Sequence, residues 1–117
     1  MSDVRARLRA FALSLPEATE DFPWGESVAK VSGKAFVFLG RDGAAHPAIT
    51  VKLVESHGHA LSIEGAKETG YGLGRSGWVT VPVDADDVDL DVLRDWIEES
   101  YRIVAPRRVV AELDRRA

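Results

Sequence analysis

A glycine-rich stretch in the second half of the chain has the letters of a nucleotide-binding loop. Gly72, Gly74 and Gly77 match the Gly-x-Gly-x-x-Gly pattern of dinucleotide-binding proteins. That pattern binds pyrophosphate where a strand precedes it and a helix follows, because the phosphates lie at the helix N-terminus. The residues that follow here, Trp78–Val83, are typical of a strand, so we interpret the glycines as turn residues with positive φ. The N–H groups of the loop together with Arg75 are a second candidate, a small anion site.

Three aspartates have the alternating spacing of a calcium-binding loop. Asp87, Asp89 and Asp91 would begin such a loop, but its sixth position must be glycine for a sharp turn and here it is Val92. The same residues begin a stretch with helical periodicity, where carboxylates complement the dipole at a helix N-terminus. We therefore predict that Asp87 or Asp89 caps a helix and that no metal is bound.

The histidines and a neighbouring serine do not form a catalytic pattern. His57 and His59 would share one face of a strand but point to nearly opposite sides of a helix. Neither His46 nor any other residue stands at the spacing of a third metal ligand. Ser56 precedes His57 without the pattern of a nucleophile elbow. We predict no catalytic residues, no metal site, no cofactor and no enzymatic activity.

Basic residues interleaved with aromatic residues are the pattern most relevant to function. Lysine and arginine bind phosphates and aromatic rings stack on bases, so the combination is typical of nucleic-acid binding. It also fits solvated lysines around core tryptophans. The candidate nucleic-acid-binding residues are Lys30, Lys34, Lys52, Arg75, Trp78, Arg107 and Arg108, with Trp24 and Tyr71 as neighbouring aromatic residues.

The composition bounds the classes of protein to which the chain can belong. Its 117 residues are 45% hydrophobic and 29% charged, as in ordinary globular domains, and we expect one domain over residues 1–117. The absence of cysteine excludes disulfides and thiolate metal sites. The first residues lack the apolar stretch of a signal peptide, and no apolar run approaches about 18 residues. We therefore expect a cytoplasmic protein with no membrane association.

Net charge argues against nucleic acid as a partner, whereas the distribution of charge leaves it open. The chain carries −4 in total, and nucleic-acid-binding proteins usually have a basic surplus. Eight of the 19 acidic residues, however, lie in Asp84–Glu99. The stretch Ser27–Val83 has six basic residues against four acidic ones, which allows a basic patch in the middle of the protein.

Helix and strand patterns in the first half of the chain place several of these candidates. An apolar stripe at helical spacing predicts a helix that Pro16 ends, and Glu17–Gly25 is interpreted as an ordered loop. Alternation of apolar and polar residues then predicts three strands, the first two joined by a tight turn at Ser32-Gly33. These strands are Ser27–Ser32, Lys34–Leu39 and Ala48–Leu53, and their lysines fall outside the core.

The second half alternates between helix and strand patterns. Ser56–Glu64 is predicted as a short helix and Trp78–Val83 as a fourth strand. A long helix follows, and Pro106 begins a last short helix that carries Val110 and Leu113. The long helix has one apolar stripe, made of Leu90, Leu93, Ile97, Tyr101 and Val104. The predicted fold class is α+β, an antiparallel sheet of at least four strands with helices packed on one face.

Motifs distributed over the whole chain resemble those of the MmcQ/YjbR family. The segments are Asp21–Gly25, Val28–Val31, Gly33–Phe36, Thr69–Val81, Glu99–Arg102 and Ala105–Arg108. The first three are similar to the opening of the family, the fourth to its loop and strand, and the last two to its C-terminal helix pattern. They occur in the expected order.

The resemblance implies a CyaY-like α+β fold, with strand hairpins described as a "double wing", and it implies DNA binding. Family members often have a basic loop before the tryptophan, of the type Asn-Lys-Arg-His-Trp. The corresponding stretch here ends in Trp78, and only Arg75 in it is basic. The leading hypothesis is thus a DNA-binding protein without catalysis. The alternative is a non-catalytic module that binds a protein partner or a small ligand.

Overall fold

Helices and strands alternate along the chain largely as the sequence patterns predict. A computed structural model describes residues 4–41, 43, 45–70, 73–84 and 89–116, with the backbone alone at Trp24 and Gly74. Tyr71, Gly72 and Asp87, named above as candidates, lie outside these ranges. The helices are α1 (Val4–Ser14), α2 (His57–Leu61), α3 (Leu90–Val104) and α4 (Arg107–Arg115). None of these described helices has the length and apolar character needed to cross a membrane.

Six strands form one antiparallel sheet in the order β1-β2-β3-β4-β6-β5. They are β1 (Ala18–Asp21), β2 (Ser27–Val31), β3 (Lys34–Gly40), β4 (Ala48–Lys52), β5 (Lys67–Glu68) and β6 (Trp78–Pro82). Cross-strand pairing places Ala29, Val37, Val51 and Val79 on one face, where α1, α2 and α3 pack and bury them. The predicted α+β fold, an antiparallel sheet with helices on one face, is confirmed.

α3 is the central helix of the layer that covers this face. Asp89 caps it by accepting a hydrogen bond from the N–H of Asp91 at 2.8 Å, as predicted. Leu93, Ile97 and Tyr101 recur every four residues, and all three are buried because such positions lie on one side of a helix. Asp89 and Asp91, two of the aspartates with the calcium-loop spacing, therefore begin a helix.

Polar side chains of α3 join the sheet where the β3–β4 ladder stops. The hydroxyl of Ser100 accepts a hydrogen bond from the N–H of Lys52 at 2.9 Å and donates to the carbonyl of Phe36 at 2.5 Å. The next residue, Tyr101, donates its hydroxyl to the carbonyl of Pro16 at 2.7 Å. Backbone groups that would otherwise be buried without a partner are thus satisfied by the helix.

Two strands differ from the sequence prediction. Ala18–Asp21, predicted as part of a loop, forms the edge strand β1. Its pattern is not apolar, because Glu20 faces the helices and its carboxylate binds the guanidinium of Arg9 and the hydroxyl of Ser27. β5 has only two residues, and it is a strand because these residues pair with β6. Two residues are too few to show a periodic pattern in the sequence.

α4 packs against the core through Val109 and Leu113. Val109 is fully buried and Leu113 packs against the core, whereas Val110 is half-buried. Val109 and Leu113 lie four residues apart and therefore project from one side of the helix, which Val110 does not share. Of the two residues that the sequence placed on this helix, Leu113 packs against the core and Val110 is half-buried.

Candidate nucleic-acid interface

The helices of the described ranges leave one side of the sheet uncovered, and we call it the open face. Strand register assigns its side chains, because residues that pair across strands project to the same side. The open face includes Asp21, Val28, Lys30, Phe38, Thr50, Lys52, Lys67, Trp78 and Thr80. It therefore brings together three of the residues that the sequence predicted as nucleic-acid-binding, Lys30, Lys52 and Trp78.

The centre of the open face is a ladder of threonines beside an aromatic pair. The hydroxyl of Thr80 lies 2.9 Å from that of Thr50 and 3.0 Å from that of Thr69. The rings of Phe38 and Trp78 meet edge to face, with centroids 5.5 Å apart. Trp78 is only 9% exposed, so it packs against the sheet and leaves no free ring on which a base could stack.

Two lysines beside this centre are unpaired within the described part of the chain. Lys52 lies opposite Trp78 in the β4–β6 ladder, and Lys67 lies opposite Thr80 on the edge strand β5. Neither lysine forms an ion pair with a described residue. Lys67 is exposed and Lys52 is half-buried, so both ammonium groups are available to an anion on this face.

Lys30 differs from these two lysines because it already has a carboxylate partner. Its ammonium lies 2.9 Å from the Asp21 carboxylate across the β1–β2 pair. Hydrogen bonds from Lys30 and from the N–H of Phe22 lower the pKa of Asp21, which keeps that carboxyl ionised. A phosphate would therefore have to compete with Asp21 for Lys30.

A recess lies at the end of the open face that is farther from Lys52. It has a volume of about 290 Å³. Phe38 and Thr50 of the open face contribute to its lining, together with Glu26, Arg41 and His46. The guanidinium of Arg41 lies 3.6 Å from the carboxylate of Glu26, a distance at which the pair is loose. The recess thus extends the mixed polar and aromatic character of the face.

Lys34, Arg107 and Arg108 lie away from the open face. Lys34 is exposed at the hairpin end of β3, opposite Val31, whose side chain is buried in the core. Arg107 and Arg108 begin α4, in the helix layer. Arg108 donates to the Glu17 carboxylate at 2.7 Å, and this hydrogen bond lowers the pKa of Glu17. These arginines do not extend a groove across the sheet.

Arg75 occupies an intermediate position. It is exposed in a 3₁₀ turn, Leu73–Ser76, immediately before β6. Gly77 follows that turn with φ +93°, and its carbonyl accepts a hydrogen bond from the N–H of Leu53 at 3.0 Å. The turn is therefore attached to the end of β4, one residue beyond Lys52. The prediction that a strand follows the glycines is confirmed.

A second recess, on the helix side of the sheet, is acidic, and we call it the acidic groove. It has a volume of about 590 Å³. Its lining consists of Val54, Glu55, Asp95, Glu98, Glu99, Arg102 and Ile103. Val54 is 69% exposed and Ile103 37% exposed. The guanidinium of Arg102 is already engaged by Glu98 at 3.0 Å and by Asp114 at 2.9 Å. The groove therefore combines apolar surface with excess negative charge.

Glu99 is the carboxylate that organises the acidic groove. It accepts hydrogen bonds from the N–H of Val54 at 2.8 Å and from the hydroxyl of Ser56 at 2.7 Å. Burial alone would raise the pKa of Glu99, but these hydrogen bonds together lower it below the ordinary 4.5. The ionised carboxylate holds the chain between β4 and α2 against α3.

The protein is therefore an α+β protein in which helices cover one face of an antiparallel sheet. The opposite face carries basic and aromatic residues. A family model described as YjbR matches residues 13–103. The chain therefore belongs to the YjbR family, as the motifs indicated.

A solved structure supports the same fold. The chain is similar to a crystal structure of a protein from Pseudomonas syringae that was solved by a structural genomics consortium. The two share 18% sequence identity and a TM-score of 0.66, over 89% of this chain and 99% of that one. A comparison with curated proteins gives no match. At this identity the likeness shows the fold alone.

Several residues of these surfaces were not predicted from the sequence. Lys67 was missed because β5 is too short to show a pattern, although Lys67 contributes to the basic surplus of the middle of the chain. Thr50 was assigned to a strand but not to a site, because the hydroxyl that it contacts belongs to Thr80 on another strand. Within the described ranges, no three His, Asp or Glu side chains are arranged to hold a metal ion.

Proposed function

We propose that this protein binds nucleic acid through the open face, without catalysing a reaction. The observation that carries the proposal is the charge of this face in an acidic chain. The chain as a whole carries −4. On the described open face and its end recess, cations outnumber carboxylates: Lys30, Lys52, Lys67 and Arg41 against Asp21 and Glu26.

The chemistry of the face fits a phosphate backbone better than base edges. Lys52 and Lys67 lie on strands that flank β6 and therefore project on either side of it. A strand of nucleic acid across β6 would place phosphates near both ammonium groups, and these contacts carry affinity but no sequence information. Two hydrogen bonds join the hydroxyls of Thr50, Thr80 and Thr69, so one of their three protons remains to be donated to a phosphate or sugar oxygen. Phe38 is half-buried and supplies apolar contact.

Fluorescence anisotropy with labelled single-stranded and duplex DNA tests the proposal. At about 50 mM salt we expect binding whose affinity falls with rising salt, because each neutralised phosphate releases counterions. Lys52→Gln and Lys67→Gln should each weaken binding and make the salt slope shallower by about one. Lys34→Gln is the matched control, since Lys34 is an exposed strand lysine off the open face.

Two results would reject the proposal. One is the absence of binding to either form of DNA at low salt. The other is an equal loss of affinity in all three lysine variants, because it would mean that total charge, and not this face, determines binding.

The acidic groove favours a second candidate function, the binding of a protein partner. Its exposed Val54 and Ile103 lie among four carboxylates, and its single arginine is already paired. Such a surface fits a segment with an aliphatic residue next to lysine or arginine. A thermal-shift titration with a basic amphipathic peptide tests it: the midpoint should rise for the natural chain and not for Val54→Asp. An unchanged midpoint for the natural chain would reject this function.

A further inference from the structure

A third recess lies at the end of β4 and β6, where the row of Lys52 and Trp78 stops. Its volume is about 420 Å³. It is lined by Leu53, Val54, His57, Arg75, Ser76 and Gly77. The polar side chains of this lining are a guanidinium, an imidazole and a hydroxyl, and none of the lining residues is acidic. Arginine, histidine and serine together are donors that suit an anion.

Contacts outside the recess hold both of its sides in place. On one side, a Cβ atom at Gly77 would lie 2.7 Å from the carbonyl oxygen of Leu53, so the chain at Gly77 packs against Leu53 too closely for any residue with a Cβ. On the other side, Glu99 binds the N–H of Val54 at 2.8 Å and the hydroxyl of Ser56 at 2.7 Å. A ligand would therefore meet a recess whose backbone is already ordered, which lowers the entropic cost of binding.

The recess continues the open face along the chain. Lys52 directly precedes Leu53, and Trp78 directly follows Gly77. A nucleic-acid strand in contact with Lys52 would reach the recess at the end of the sheet. The volume exceeds that of a phosphate group and falls in the range of small-ligand sites, so it has room for a nucleotide.

We propose that this recess is a phosphate subsite, in which Arg75 binds the phosphate of a nucleotide and His57 and Ser76 donate further hydrogen bonds. The inference rests on the proposed function, because it names the group of the nucleic acid that the end of the open face recognises. The phosphate comes either from a strand end or from an internal phosphodiester. Arginine suits both, since its planar guanidinium binds two phosphate oxygens at once.

Anisotropy competition separates these two sources. The probes are one oligonucleotide with a 5′-phosphate, one with a 3′-phosphate and the same sequence with neither. We expect Arg75→Gln to weaken binding by about tenfold, because it removes a charged, two-point hydrogen bond. His57→Gln should weaken it by about threefold, as expected for a single donor. A loss confined to a phosphorylated end identifies a strand-end site, and an equal loss for all probes identifies an internal phosphate; both support the subsite.

Arg75 is exposed, so Arg75→Gln should fold normally, and Arg107→Gln is the matched control because Arg107 is exposed in the helix layer. Unchanged affinity of Arg75→Gln and His57→Gln for every probe would overturn the subsite. If Lys52→Gln nevertheless weakened binding, the open face would still bind nucleic acid, and only the phosphate subsite would be rejected.

A separate titration with a nucleoside monophosphate, followed by amide chemical shifts, tests the recess without any strand. Shifts at Leu53, Ser76 and Gly77 support the subsite even if no oligonucleotide binds the open face. Shifts that are absent there, or unchanged in Arg75→Gln, count against it.

Discussion

The two sides of the sheet use polar side chains in opposite ways. On the helix side, three polar residues of α3 bind backbone groups of other elements: Ser100 bridges two strands, Tyr101 binds Pro16, and Glu99 binds Val54. On the open face, the described hydroxyls bind one another, and the lysines of β4 and β5 have no described ion-pair partner. The polar groups on the helix side therefore stabilise the fold. The lysines of β4 and β5 on the open face remain available to bind a ligand.

The difference between the two sides of the sheet explains why the family motifs predict the fold. Glu99, Ser100 and Tyr101 belong to one of the motifs that resemble the YjbR family, and all three act within the fold. A match at such positions predicts the architecture because it preserves the contacts that build it. The motifs include part of the open face, such as Lys30 and Trp78, but its two unpaired lysines, Lys52 and Lys67, lie outside every motif. Substitutions on the helix side should therefore lower the stability strongly, and substitutions on the open face should change it little.

The largest effect is expected at Gly77, where the turn that carries Arg75 meets β4. Gly77→Ala should lower the free energy of unfolding by about 3 kcal/mol, because positive φ strains alanine and its Cβ would collide with a backbone carbonyl. Urea denaturation measures this loss. Gly33→Ala is the control, since Gly33 also has positive φ but open space around its Cβ, and about 1 kcal/mol is expected there. Equal losses would show that the close contact with Leu53 does not matter.

Ser100→Ala should have the next largest effect, a loss of about 2 kcal/mol. The substitution removes a fully buried hydroxyl and leaves the N–H of Lys52 and the carbonyl of Phe36 without their partner. Ser62 supplies the comparison, because its hydroxyl also donates to a carbonyl but is exposed, and Ser62→Ala should cost under about 0.5 kcal/mol. A cost for Ser100→Ala as small as that of Ser62→Ala would mean that the ladder closes without α3.

Local patterns predicted the parts of the fold that depend on neighbours in sequence. Alternation predicted β4 within one residue, and Asp89 was one of two aspartates predicted as the cap of α3. The Ser32-Gly33 turn has the two positive φ values that a type I′ hairpin needs. β1 escaped prediction because Glu20 is polar and yet turned inward, which depends on Arg9 eleven residues away. No local pattern contains that information.

The surfaces were harder to predict than the fold for the same reason. The sequence marked Lys52 and Lys34 alike as strand lysines outside the core, and only strand register separates them. Arg108 looked available until the structure placed Glu17 beside it, 91 residues earlier in the chain. The acidic groove joins Val54 to Ile103, which have no common motif. Residues distant in sequence form a site only through topology.

Glu99 gives the helix side a dependence of stability on pH. Glu99→Gln should lower the free energy of unfolding by about 1.5 kcal/mol at neutral pH, because it removes charge-assisted hydrogen bonds. The folded-state pKa of Glu99 is lowered, so its contribution is present above the unfolded-state value of 4.5 and is lost as pH falls through the folded-state pKa. Urea denaturation at several pH values should therefore show the two proteins converging in acid.

Glu98→Gln is the matched control for this convergence. Glu98 is on the same helix and half-exposed, and it pairs with Arg102, so its replacement should cost about 0.5 kcal/mol or less. A gap between the natural chain and Glu99→Gln that stayed constant into acid would contradict the assignment of the stabilising charge to Glu99.

The smallest effect on stability is expected on the open face itself. Lys52→Gln should change the free energy of unfolding by less than about 0.5 kcal/mol, because the Lys52 side chain has no described ion pair and its N–H keeps its bond to Ser100. Affinity for DNA should nevertheless fall more in this variant than in Lys30→Gln, since Lys30 must leave Asp21 before it can bind a phosphate. Parallel urea and salt titrations measure both quantities. If Lys52→Gln instead lowered the stability and left the affinity for DNA unchanged, Lys52 would be a structural residue. The open face would then stabilise the fold as the helix side does.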